Sequence, residues 1–229
     1  MGSLKLPHPI GGNSMSIAAP ATNPATDLEL KLPATIGTAG QALVNSSTAG
    51  TLEFSGSARR VLEEFGSPCD GSVIATANGN VTFPNVTAAQ TTTTSWTDVT
   101  GSNITYNPPT GATQVIYEFN YLMASVDTDA LLGSWKLFLD SDEVTKARQQ
   151  HRSSSYYEGC QVFKWIFNIG GSADTTVGRV ASWSSNKTIK LQLVDYTTQY
   201  DYKIHETSYW DGGTTDQLSI PTLHIKAIG

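Results

Sequence analysis

Along residues 113–123, Thr-Gln-Val-Ile-Tyr-Glu-Phe-Asn-Tyr-Leu-Met, the side chains of Val115, Tyr117, Phe119, Tyr121 and Met123 share one parity. Gln114, Glu118 and Asn120 fall on the other parity with Ile116 and Leu122. A period of two predicts a long β-strand, and its mostly apolar face must lie against a second sheet or a neighbouring subunit. The same alternation puts Trp135, Leu137 and Leu139 on one face of a strand over 131–140. It does so again for Phe163, Trp165, Phe167 and Ile169 over 161–169, where Gly170-Gly171 ends the run. Shorter strands are predicted at 72–76, 80–84, 91–99, 104–106, 144–147, 188–196, 201–209 and 219–228, separated by turns such as Asn78-Gly79 and Asp140-Ser141-Asp142-Glu143. This pattern predicts an all-β fold: an antiparallel β-sandwich or jelly-roll-like domain over residues 71–229.

Residues 1–56 read differently. They are rich in Pro, Gly, Ala and Thr, with no aromatic before Phe54, and cannot build a core alone. Apolar residues come in short bursts, Met15-Ser16-Ile17 and Leu28 to Leu32, with Leu28, Leu30 and Leu32 on one side of a strand too short to be stable by itself. Such a segment orders when it docks on another surface or winds with identical copies, and a flexible tail is the alternative. We take 1–56 as an extended attachment and trimerisation segment, with Met15, Ile17, Leu28, Leu30 and Leu32 as candidate attachment residues. Residues 57–70 are expected to form one short linking helix and a turn. Ser57 would cap the helix, Val61, Leu62 and Phe65 would share a face, and Gly66 with Pro68 would stop it.

Composition narrows the function. Of 229 residues only 15% are charged, below the usual level of about 25%, which suits a virion-type or extracellular surface more than a cytosolic enzyme. The net charge of -6 argues against a protein that neutralises phosphates, so no nucleic-acid partner is expected. The first residues hold no apolar leader and no long apolar stretch follows, so neither secretion nor membrane insertion is expected. Cys69 and Cys160 can bridge only if their Cα atoms approach within about 7 Å, and free buried thiols are the commoner outcome.

The run Leu28-Glu-Leu-Lys-Leu-Pro-Ala-Thr-Ile-Gly-Thr-Ala-Gly-Gln-Ala-Leu-Val-Asn-Ser-Ser-Thr-Ala-Gly-Thr-Leu-Glu-Phe54 resembles a segment that recurs in fibre and appendage proteins of tailed bacteriophages, especially marine and cyanobacterial ones. Arg60-Val-Leu62, Ser95-Trp-Thr-Asp-Val-Thr100 and Ile104-Thr-Tyr-Asn-Pro-Pro108 resemble the β-domain that follows it. The resemblance implies a homotrimer, assembled in the host cytoplasm into a virion, whose N-terminal segments attach to other virion proteins of tail or capsid while β-domains form a distal knob. The chain is short for a complete tail fibre, which leaves a capsid-decorating fibre or cement protein as a comparable option.

An enzyme would start from carboxylates facing each other across a sugar. The candidates, among them Asp140, Asp142, Glu143, Glu158, Asp195 and Glu206, mostly fall in predicted turns, where Asp serves the backbone. The histidines show no metal-ligand spacing, so neither catalysis nor a cofactor or metal is expected. Binding has better material. His151 to Glu158, Tyr196 to Tyr202 and Tyr209-Trp-Asp-Gly-Gly213 are crowded with aromatic and polar residues, which gives Arg152, Tyr156, Tyr157, Tyr200, Tyr202, Tyr209 and Trp210 as candidate ligand-binding residues for a host-surface glycan. The same tyrosines could instead close the ends of the sandwich or pack between subunits. A monomeric carbohydrate-binding module and a glycan hydrolase are the rival readings.

Overall fold

The computed structural model describes residues 3–6, 15–18, 30–37, 41–55, 60–125, 130–154, 157–210 and 214–229, and the chain divides into two units, Met1–Ala58 and Arg59–Gly229. In the first unit β1 (Ser3–Leu6) pairs with β2 (Met15–Ala18), and β3 (Ala42–Asn45) pairs with β4 (Leu52–Ser55). Met15 and Ile17 lie on β2, opposite Leu6 and Leu4 in register, and Leu28 lies outside the described residues. None of residues 30–37 and 41–54 is buried. Leu30, Leu32, Ile36 and Leu43 are exposed, Ile36 to 96%. Lys31 makes a single bridge to Thr51 where the alternating leucines suggested a strand.

The second unit contains β5 (Val61–Pro68), β6 (Val73–Thr76), β7 (Gly79–Thr82), β8 (Gln90–Thr91), β9 (Thr97–Asp98), β10 (Ile104–Tyr106), β11 (Gln114–Ser125), β12 (Leu131–Leu139), β13 (Asp142–Glu143) and β14 (Gln149–Ser153). It continues with β15 (Glu158–Asn168), β16 (Lys187–Asp195), β17 (Tyr202–Ile204), β18 (Glu206–Trp210), β19 (Thr214–Leu218) and β20 (Thr222–Ile228). One sheet runs β5-β20-β11-β15, with β17 taking over from β20 along the far end of β11 and β8 pairing with β17. In the other, β16 and β12 are central. Here β9 and β10 share the outer edge of β16, and β13 and β14 share the outer edge of β12.

Counting each shared edge as one interrupted strand leaves eight principal strands. In chain order they form the sheets 1-8-3-6 and 2-7-4-5, antiparallel throughout, which is the two-Greek-key topology of a jelly roll. The fold is an all-β sandwich, as the alternation predicts. Val115, Tyr117, Phe119, Tyr121 and Met123 on β11 are all buried, facing Leu131, Trp135, Leu137, Leu139, Ile189, Leu191 and Leu193 of the other sheet in one core. Two buried hydroxyls are satisfied within the core: the Tyr117 hydroxyl donates to the Ser102 carbonyl at 2.6 Å, and the Ser102 hydroxyl accepts the Leu191 N–H at 3.0 Å where the edge strand is interrupted.

Four expectations are corrected. The linking helix is a strand: β5 forms the edge beside β20, with Phe65 opposite Ile225, and residues 57–59 lie outside the described residues. The stretch 144–147 is a 3₁₀ turn, Thr145–Ala147, between β13 and β14. Residues 91–99 keep only short pairings at their ends, because the Thr92 hydroxyl donates to the Tyr202 carbonyl at 2.9 Å and accepts its N–H at 3.1 Å. The run 201–209 is broken at His205, whose φ of 68° turns the chain from β17 into the β18–β19 hairpin. Both cysteines are free, Cys69 buried and Cys160 exposed.

Candidate binding surface

The register gathers several connections at one end of the roll. Ala124 of β11 faces Glu158 of β15, Leu131 of β12 faces Ser153 of β14, Gly133 faces Asp195 of β16, and Ser125 faces Tyr202 of β17. Residues 125, 130, 154, 157 and the link 196–201 therefore lie at that end. Between them lies an open cleft of 690 Å³ lined by Leu132, Arg152, Ser153, Ser154, Tyr196 and Tyr200 among others. Alternation along β12 sends Leu132 outward, and Arg152 is its partner on β14. Tyr196 continues the row, its N–H donating to the Leu132 carbonyl at 3.0 Å. A turn closed by the Tyr200 N–H on the Thr197 carbonyl, 3.0 Å, brings the Tyr196 and Tyr200 ring centroids to 6.2 Å. Tyr196 is 68% exposed, so a large aromatic face stands beside a guanidinium in solvent.

One residue deeper the row points inward: Asp195, Gly133 and His151. Asp195 is 3% exposed with neither carboxylate oxygen hydrogen-bonded, and the Tyr202 hydroxyl and His151 Nε2 beside this row also lack partners among the described residues. Burial pushes the Asp195 carboxyl up to about 6; the Thr92 hydroxyl acts against this and the Asp201 charge adds to it. Burial likewise lowers His151.

The candidate residues therefore separate. Arg152 and Tyr200 line the cleft. Tyr157 is half-buried and structural: its backbone exchanges hydrogen bonds with Ser125, its hydroxyl accepts from Gln161 at 2.5 Å, and its ring lies 5.2 Å from His151. Tyr202 is corrected from surface to core, fully buried and stacked on Trp135 at 5.4 Å. Tyr209 is exposed on β18, outside the cleft lining, and the Trp210 backbone pairs with Thr214. Tyr156 lies outside the described residues. Tyr196 belongs to the aromatic loop, yet the sequence gives no reason to rank it above Tyr202.

Most carboxylates hold backbone or lysine groups. Asp140, at φ 56°, accepts the Thr188 N–H and Lys187 Nζ, each at 2.8 Å. Glu158 holds Thr207 and Ser208, and Glu206 pairs with Lys203 at 2.5 Å.

No protein-family model matches the chain, and no curated protein matches it. Among solved structures, the chain is similar to one from infectious bursal disease virus, Gx strain, at 7% identity and a TM-score of 0.32, over 82% of this chain and 44% of that one. The chain thus spans less than half of that relative's length. A likeness at this level carries no argument about what the protein does.

Proposed function

We propose that this chain is a structural virion protein of a tailed phage, a short trimeric fibre or spike that is held by its N-terminal unit and displays the jelly roll for adsorption to a host-surface glycan. The observation that carries it is the N-terminal unit: none of residues 30–37 and 41–54 is buried, and Leu30, Leu32, Ile36 and Leu43 are exposed. Apolar side chains of this kind gain about 1.5–3 kcal/mol each when covered, so the segment is built to be covered by other copies or by the particle. The roll supplies the display. Its loop-end cleft offers tyrosine faces and a guanidinium, and several copies acting together turn weak contacts into avidity. The eight-strand topology serves capsid and lectin domains alike, which supports a capsid-decorating fibre as the second reading.

Adsorption is tested by binding of the intact chain to an immobilised glycan panel. Tyr200→Ala and Arg152→Ala each weaken the strongest hit about tenfold, the loss of one good aromatic or charge-assisted contact. Unchanged binding in both variants would remove the cleft from adsorption.

A further inference from the structure

A second cleft, of 440 Å³, lies on the outward face of the β16–β12–β14 sheet, lined by Trp96, Ser134, Lys136, Arg148, Gln149 and Gln150 together with part of Trp135. Its size falls in the range of about 300–1,000 Å³ usual for small-molecule sites. Alternation along β12 points Ser134 and Lys136 outward as its floor, and Gln150 stands opposite Ser134 on β14. Trp96 precedes β9 on the far side of β16, reaches across to β12, and is 39% exposed, with Lys136 Nζ 4.2 Å from the indole centroid. Trp96 thus offers an indole face in the lining of the cleft, beside the Lys136 ammonium.

The charges in this cleft are one-sided. Among the described residues no acidic side chain lines it. Glu143, beside it on the same outward face opposite Phe138, holds Arg148 Nε at 2.5 Å and Lys136 Nζ at 3.4 Å, which fixes both cations in place with one positive charge in excess. A guanidinium has five N–H donors, so the bond from Nε leaves others for a ligand. This local excess is set in a chain whose net charge is -6.

We propose that this cleft binds a carboxylated pyranose, an acidic sugar of the uronic acid type. The apolar face of the ring packs on Trp96. The carboxylate is held by Arg148 with Lys136, and the Gln149 and Gln150 amides and the Ser134 hydroxyl exchange hydrogen bonds with the ring hydroxyls. The site is separate from the loop-end cleft and shares none of its lining residues, so it stands whether or not the chain is a virion component.

The test is titration of the ¹⁵N-labelled intact chain with methyl β-glucuronide and, separately, methyl β-glucoside, which differ only in the carboxylate. The indole N–H peak of Trp96 is identified among the five tryptophans by its disappearance in Trp96→Phe. The expected result is a saturable shift of that peak with the glucuronide and a roughly tenfold or weaker response to the glucoside, with Arg148→Ala bringing the glucuronide down to the glucoside's level. Tyr200→Ala leaves the titration unchanged. The proposal is overturned if neither sugar moves the peak, if both bind equally, or if Tyr200→Ala abolishes the shift, which would place the sugar in the loop-end cleft. All these side chains are at the surface, and unperturbed backbone spectra of the variants exclude misfolding as the cause of a lost shift.

Discussion

Gly133 is the residue on which the loop end depends. A Cβ there would meet the Tyr202 hydroxyl and ring, with Cε1 at 2.6 Å, and Tyr202 cannot retreat because it is stacked on Trp135 and fully buried. Gly133→Ala should cost about 3 kcal/mol in urea unfolding, the upper range for overpacking a filled core. A midpoint unchanged from wild type would mean that Tyr202 has room to move. The neighbouring Asp195 makes stability depend on pH. Its folded-state value is raised to about 6 from the ordinary 3.8, so the protonated form is favoured by folding. The stabilisation is complete below about pH 4, declines as pH rises to about 6, and is gone above, a loss on the order of 2–3 kcal/mol. Asp195→Asn should abolish this decline and leave the protein the more stable of the two at pH 7.5. A parallel pH profile in the variant would contradict the assignment. None of this is legible in sequence, where Tyr202 and Tyr200 sit in one loop and nothing says which of them faces inward; the glycine that makes room for Tyr202 is 69 positions away in the chain.

Strands announce themselves when both faces have settled roles. β11, β12, β15 and β16 alternate cleanly over nine or more residues, and each was readable from its own sequence. β5 was not, because the residue facing inward beside Phe65 is a glutamate. Glu63 accepts the Tyr106 hydroxyl at 2.6 Å and the Ala77 N–H at 2.7 Å, so a charge occupies the parity that should read as apolar, and Val61, Leu62 and Phe65 imitate one helical face. The 201–209 break is equally silent: His205 in the left-handed region, its Nε2 donating to the Thr100 carbonyl at 2.8 Å, looks in sequence like any strand residue. The interrupted edge of β16 gives the clearest mutational consequence. Ser102→Ala strands the buried Leu191 N–H, which should cost about 1–3 kcal/mol. Hydrogen exchange should show the amides of β11, β12 and β16 opening only with global unfolding, and those of the β18–β19 hairpin opening well before it. Equal protection in the hairpin and the central strands would show that the hairpin is part of the cooperative core.

The assembled molecule is where the two units acquire their purposes. The second unit has a complete core and strand order, and these were legible as a sandwich because the long strands dominate the sequence. The first unit has two hairpins, and its residues 30–37 and 41–54 bury no side chain of their own, which leaves their apolar groups for a partner to cover. The proposed fibre requires that this unit drive association and that the roll alone does not. Sedimentation velocity with light scattering, on the intact chain and on residues 59–229, separates the alternatives. A species of three times the 24.5 kDa chain mass that persists on dilution, lost when residues 1–58 are removed, is the predicted result. Monomers of both would contradict a self-assembling fibre, and a trimer of the roll alone would transfer the assembly to the sandwich.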